Sequence, residues 1–140
     1  MKKLITLIAL GIVMNAQHLK AQEVHLPIDT TVVTNHTATI KGSKISYTAT
    51  VGMQPVWDEN GKPIAALNYT YYKRSDVSDV SKRPLLISFN GGPGSASVWM
   101  HIAYTGPKVL NIDAEGYPIQ PYGVHDNPNS VLDVCDIVYV

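Results

Sequence analysis

The chain has 140 residues, with 11 Lys and Arg against 11 Asp and Glu, so it carries no formal net charge at neutral pH. Neither sign forms a run, which argues against a nucleic-acid partner and against an anionic membrane surface. The length suits one domain, and a single cysteine, Cys135, excludes an intrachain disulfide.

Met1-Lys2-Lys3, followed by an apolar stretch from Leu4 to Met14, reads as a secretory signal peptide. The stretch of about 11 residues is too short to cross a bilayer, which takes about 20. Cleavage after Ala16 or Ala21 is expected, and no cysteine at the boundary could accept a lipid. A retained amphipathic anchor is the alternative. The mature chain is therefore expected to be periplasmic or secreted and free of the membrane once the leader is removed. That setting disfavours a nicotinamide cofactor.

Residues 22–35, with Pro27, read as a mixed linker. Residues 37–41 and 44–51 alternate Thr, Ile, Tyr and Val with polar side chains around Gly42-Ser43, the pattern of a β-hairpin. Asn60-Gly61 is the strongest turn signal and should join a short strand near Val56-Trp57 to a longer one over residues 64–72. Residues 74–83 are a polar loop. Leu85-Leu86-Ile87-Ser88-Phe89 is nearly all apolar, as expected of an interior strand. A short helix over residues 97–104, a strand over 109–112 and a turn over 113–116 follow. Residues 131–135 are too few to assign. Cys135 fits a small buried hydrophobe, with a thiol partner beyond Val140 as the alternative. The five histidines form no H-x-x-H or C-x-x-C arrangement, so no metal site is expected. The sequons at Asn35 and Asn68 read as chance matches beside a bacterial-looking leader.

The most informative segment is Asn90-Gly91-Gly92-Pro93-Gly94, directly after the apolar strand. Three glycines let a ligand approach the backbone closely, and Pro93 stiffens the loop between them. Such a loop presents backbone N–H groups to an anion, and three readings compete. It could be an oxyanion hole for acyl transfer. It could be a dinucleotide- or phosphate-binding loop, since Gly92-Pro93-Gly94 matches half of G-x-G-x-x-G and Asp113 follows at roughly the expected 20 residues. Against that reading, Ser97 replaces the third glycine and Pro93 removes an N–H. It could also be a plain glycine turn, with Asn90 as the turn residue that caps it.

The run Phe89-Asn90-Gly91-Gly92-Pro93-Gly94-Ser95-Ala96-Ser97 resembles the signature loop of the serine carboxypeptidases, α/β-hydrolase peptidases in which it reads roughly W-L-N-G-G-P-G-C-S-S. Gly106-Pro107 falls where that family closes the following helix with Glu-x-Gly-Pro. Asn127-Pro128-Asn129-Ser130 and the strand Asp136-Ile137-Val138-Tyr139-Val140 resemble its N-P-x-S-W stretch and the strand after it. The likeness covers about the last 55 residues closely and the hairpin-rich segment before it loosely. It implies an α/β fold whose mixed sheet begins with antiparallel hairpins and continues with strand–helix alternation. It further implies that the Gly92 N–H is an oxyanion donor, and that Asn90 with the Gly91 N–H binds the C-terminal carboxylate of a peptide substrate. An amide side chain can donate there without adding a charge to be desolvated.

Three positions depart from the pattern. Ser88 stands where the family has a Trp lining the leaving-group pocket, and Tyr104 where it has the Glu of the carboxylate network. Ser95 replaces a Cys that is usually disulfide-bonded. A serine hydrolase also needs a nucleophile on a G-x-S-x-G elbow, a general base and an orienting acid. No such pentapeptide occurs between Met1 and Val140. Ser95 and Ser97, near a helix start, suit N-caps better than nucleophiles. The expectation is therefore the front part, from residue 36 on, of a secreted carboxypeptidase-like hydrolase whose triad lies beyond Val140. It would need no cofactor and act on peptides with a free C-terminus. The alternatives are a dinucleotide- or phosphate-binding module and a non-catalytic binder of peptide termini.

Overall fold

A computed structural model describes residues 30–140. The expected signal peptide and residues 22–29 of the expected linker lie outside the described residues.

The first three strands form an antiparallel meander. β1 (Thr31–Ile40) pairs with β2 (Ser43–Trp57), which pairs with β3 (Pro63–Arg74). β1 starts inside the stretch read as linker, because Thr31-Val32-Val33-Thr34 is β-branched throughout and finds a partner in β2. The β1–β2 turn is Lys41-Gly42, one residue earlier than the composition suggested. Both have positive φ, 48° and 79°, as a two-residue hairpin turn requires.

The expected short strand at Val56-Trp57 is the continuation of β2. Pro55 is tolerated there because β1 stops opposite Gly52, leaving β2 a neighbour on one side only. At Asn60-Gly61 the loop is wider than a two-residue turn. The Asp58 carboxylate accepts from the N–H groups of Asn60 and Lys62 at 2.9 and 2.8 Å, and Gly61 takes a φ of 76°.

β4 (Leu85–Ser88) and β7 (Asp136–Tyr139) complete a mixed sheet in the order β1-β2-β3-β7-β4, with β7 antiparallel to β3 and parallel to β4. β5 (Lys108–Leu110) and β6 (Val124–Asp126) form a separate two-stranded ribbon. The α/β expectation is corrected here. Of the described residues 48% are strand and 13% helical, with one helix and no strand–helix alternation. The chain between β4 and β7 holds the reason. Pro107, Pro118, Pro121 and Pro128, with Gly116 and Gly123, interrupt any longer helix and leave turns and the ribbon instead.

The strand expected in the interior is also corrected. β4 is an edge of the described sheet, and Leu85, Ile87 and Phe89 are 55%, 57% and 73% exposed. Apolar composition on both faces states what a strand needs as cover, not where in the sheet it lies. The core sits on the opposite face, where Ala38, Ile40, Ile45, Tyr47, Leu132, Ile137 and Tyr139 are buried together. Its border is stapled by Arg83, whose Nε lies 2.9 Å from Asp136 Oδ1 with both side chains buried and whose terminal nitrogen donates to the Leu132 carbonyl at 2.8 Å. Cys135 is half-buried, and burial pushes its thiol pKa up.

Candidate functional site

β4 and β7 run parallel with Ser88 opposite Tyr139, so the glycine loop leaves β4 at the end of the sheet where β7 also ends. The Val140 N–H donates to the Ser88 carbonyl at 3.0 Å and extends the ladder into the loop. Gly92 and Gly94 adopt φ values of 83° and 81°, a conformation that L side chains reach at a cost of roughly 1–2 kcal/mol. No heavy atom lies within 4 Å of where a Cβ would stand at Gly91, Gly92 or Gly94, so the loop's outer surface is open to an approaching group. Among the described residues, the backbone N–H groups of Gly91, Gly92 and Gly94 meet no acceptor.

Asn90 is half-buried at the loop's start. Its side-chain amide donates to the Gly91 carbonyl at 3.1 Å and to Ser95 Oγ at 2.5 Å, so it braces the loop as a turn residue would. A carboxylate would have to take over one of these hydrogens. Neither serine caps the helix. The Asn90 N–H donates to Ser97 Oγ at 3.0 Å, and the Ser97 hydroxyl donates to the Val140 carbonyl, tying loop to sheet. That hydroxyl is engaged on both sides, by the loop's first N–H and by the end of β7.

A helical segment follows the loop and is wound as a π-helix over Met100–Thr105, with no side-chain cap at Trp99. The Gly106 N–H closes it by donating to the His101 carbonyl at 3.1 Å. Its other terminal carbonyls are met from a distance. Asn127 Nδ2 donates to the Tyr104 and Gly106 carbonyls, both at 2.8 Å, and Ser130 Oγ donates to that of Thr105 at 2.9 Å. Asn127 and Ser130 are buried. The Asn-Pro-Asn-Ser stretch, legible only as a motif, thus acts by satisfying helix-end acceptors.

One group of residues was not signalled by spacing at all. His101 Nε2 lies 2.5 Å from the Tyr72 hydroxyl on β3, and its ring stacks on Tyr139 of β7 at a centroid distance of 4.7 Å. The Tyr139 and Thr105 hydroxyls are 2.8 Å apart. Burial pushes the His101 pKa down, the Tyr139 pKa up to about 12 and the Tyr72 pKa further up. Three elements far apart in sequence supply these rings, so no local pattern could have revealed them.

An open cavity of about 290 Å3 lies beside the loop, lined by Asn68, Thr70, Ser97, His101, Tyr139 and Val140. A larger groove of about 570 Å3 runs between Trp99, Ala103, Tyr104 and the turn carrying Asp113 and Glu115. Tyr104 is exposed there, and Ser88 is half-buried below the loop. Asp113 is committed to its own turn, accepting from the Glu115 and Tyr117 N–H groups at 3.1 and 2.8 Å. Among the described residues no three His, Cys, Asp or Glu side chains gather as metal ligands. Searches against protein-family models, curated proteins and solved structures find no match to this chain.

Proposed function

We propose that the chain carries the oxyanion- and carboxylate-binding loop of a serine-type carboxypeptidase that acts outside the cytoplasm on peptides with a free C-terminus, without cofactor or metal. The observation that carries this reading is the set of N–H groups without acceptors at Gly91, Gly92 and Gly94, on an open loop braced against the ends of two parallel strands. Preorganised backbone donors of this kind stabilise developing negative charge without reorganising at the moment of reaction.

In this reading the Gly92 N–H faces the tetrahedral oxygen. The Gly91 N–H and the Asn90 amide hold the substrate's terminal carboxylate, with Asn90 releasing Ser95 to do so. The groove beside Trp99 and Tyr104 follows the loop directly and offers room for the substrate's last side chain. The 140 residues contain no G-x-S-x-G, so the loop would serve a nucleophile supplied from outside them. Without that nucleophile no acyl-enzyme forms, and a fluorophosphonate serine probe should leave the chain unlabelled. Labelling that Ser95→Ala abolishes would contradict the assignment.

The same missing pentapeptide favours, as a second reading, a non-catalytic binder of peptide termini. The dinucleotide reading is weaker, because the Asp113 carboxylate is held by its own turn and no long helix starts at the loop. A test common to both supported readings compares a free-acid peptide with its C-terminal amide. The free acid should shift the Asn90 and Gly91 amide resonances, and the amide should not.

A further inference from the structure

β1 is an edge of the sheet and pairs with β2 in one unbroken register, without a bulge. In an antiparallel strand the backbone groups of successive residues point to alternate sides. The two-residue turn after Ile40 makes Ile40 and the other even-numbered residues of β1 bond to β2. Thr31, Val33, Asn35, Thr37 and Thr39 therefore turn their N–H and C=O groups outward. Three bonds agree with that assignment. The Thr30 carbonyl accepts from the Met53 N–H of β2 at 3.2 Å, and the Thr39 N–H donates outward to Asp126 Oδ2 at 2.7 Å. Ser46, opposite Thr37, turns its N–H away from β1 and donates to Asp76 Oδ2 at 3.0 Å. Among the described residues, Asp126 is the one side chain that caps an outward group of this edge.

A long strand edge is ordinarily blunted by lysines, proline or a bulge, because its unpaired groups are a template for another strand. Thr31–Ile40 has none of these and carries no Lys, Arg, Asp or Glu, and Thr31 to Thr37 are all exposed. The opposite edge, β4, is only four residues long. We propose that β1 pairs with β1 of a second copy of this chain, antiparallel about a two-fold axis at Thr34. That register sets Thr31 opposite the second copy's Thr37, and Val33 opposite its Asn35. It uses every outward group that Asp126 leaves free and stops where Asp126 closes the edge.

The choice of a second copy rests on charge and symmetry. The open groups are evenly disposed about Thr34, so the edge is its own complement, as a two-fold interface requires. An uncharged strand meets its own copy without like-charge repulsion. Main-chain bonds supply most of the attraction, and the exposed Val32 and Val33 side chains gain cover from the facing strand. A contact this short belongs with weak, concentration-dependent interfaces rather than obligate ones. The joined sheet keeps both β4 strands, and with them both glycine loops, at its outer edges. The pairing therefore stands independently of the carboxypeptidase reading.

The test is sedimentation equilibrium of the chain between about 5 µM and about 500 µM, over which the mass should rise from monomer toward dimer. Val33→Lys, at an exposed position outside the core, enters the interface twice and should raise the dissociation constant about tenfold or more. Asn35→Pro removes an outward N–H that β2 does not use and should weaken the dimer likewise, with circular dichroism checking that the sheet persists. Thr34→Cys, in a Cys135→Ser background, brings two thiols to the axis with Cα atoms about 4.5 Å apart, within disulfide reach. Oxidised glutathione should then link the two copies. A chain that stays monomeric across the range would overturn the proposal. So would a dimer that Val33→Lys leaves equally tight and Thr34→Cys does not cross-link, since association would then use another surface.

Discussion

At the scale of single residues, glycine stands where backbone geometry demands it and for more than one reason. Gly92 has open space around it but a φ of 83°, so its constraint is conformational. Gly106 has an ordinary φ of −66° but a carbonyl oxygen where its Cβ would be, so its constraint is steric. Gly106→Ala should therefore destabilise the chain by about 1–3 kcal/mol, as overpacking does, in a urea melt followed by tryptophan fluorescence. Gly92→Ala should cost roughly 1–2 kcal/mol through left-handed strain and, in an assembled enzyme, lower kcat by about 10²–10³ if its N–H is an oxyanion donor. Equal loss of KM and kcat would instead indicate general collapse of the loop. Asn90 was legible as a polar residue at a glycine loop, and both of its possible tasks were legible with it. Its bond to Ser95 was not, because an amide's partner depends on the fold of the loop it braces.

At the scale of elements, hairpin signals located the meander while cover and position escaped them. Alternation and Gly42 placed the β1–β2 hairpin, and Asn60-Gly61 placed the next turn, since both are short-range effects. The exposure of β4 could not be read from Leu85-Leu86-Ile87, because sheet order is decided by partners far along the chain. The helix over residues 97–104 was legible, but its π winding depends on Gly106 meeting His101, and its support on Asn127 and Ser130. Arg83 shows the same limit. It read as part of a polar loop, yet it is buried against Asp136 and holds the turn before β7 to β4. Arg83→Ala leaves the Asp136 carboxylate buried without its cation, which should cost about 3–5 kcal/mol. A change below about 1 kcal/mol would mean that water replaces the guanidinium there and that the pair is no staple.

For the whole molecule, one covered face and one open face follow from the same five strands. The covered face carries the core, and Ile137 is fully buried at its centre. Ile137→Ala should lower stability by about 2–5 kcal/mol, with the spread set by how far Leu132 and Tyr139 can close the gap. The other face leaves Leu67, Tyr69, Tyr71, Ile87, Val138 and Val140 around an open apolar hollow. The glycine loop sits at the end shared by β4 and β7, the strands that meet in parallel. Its function turns on whether those N–H groups receive an anion. The most direct measurement is a pair of 15N-NMR titrations at neutral pH, one with a peptide bearing a free C-terminal carboxylate and one with the same peptide amidated. Saturable shifts of the Asn90, Gly91 and Gly92 amides with the free acid alone, weakened by Asn90→Ala, are the predicted result. Identical responses to both peptides, or none to either, would contradict a carboxylate-binding oxyanion loop.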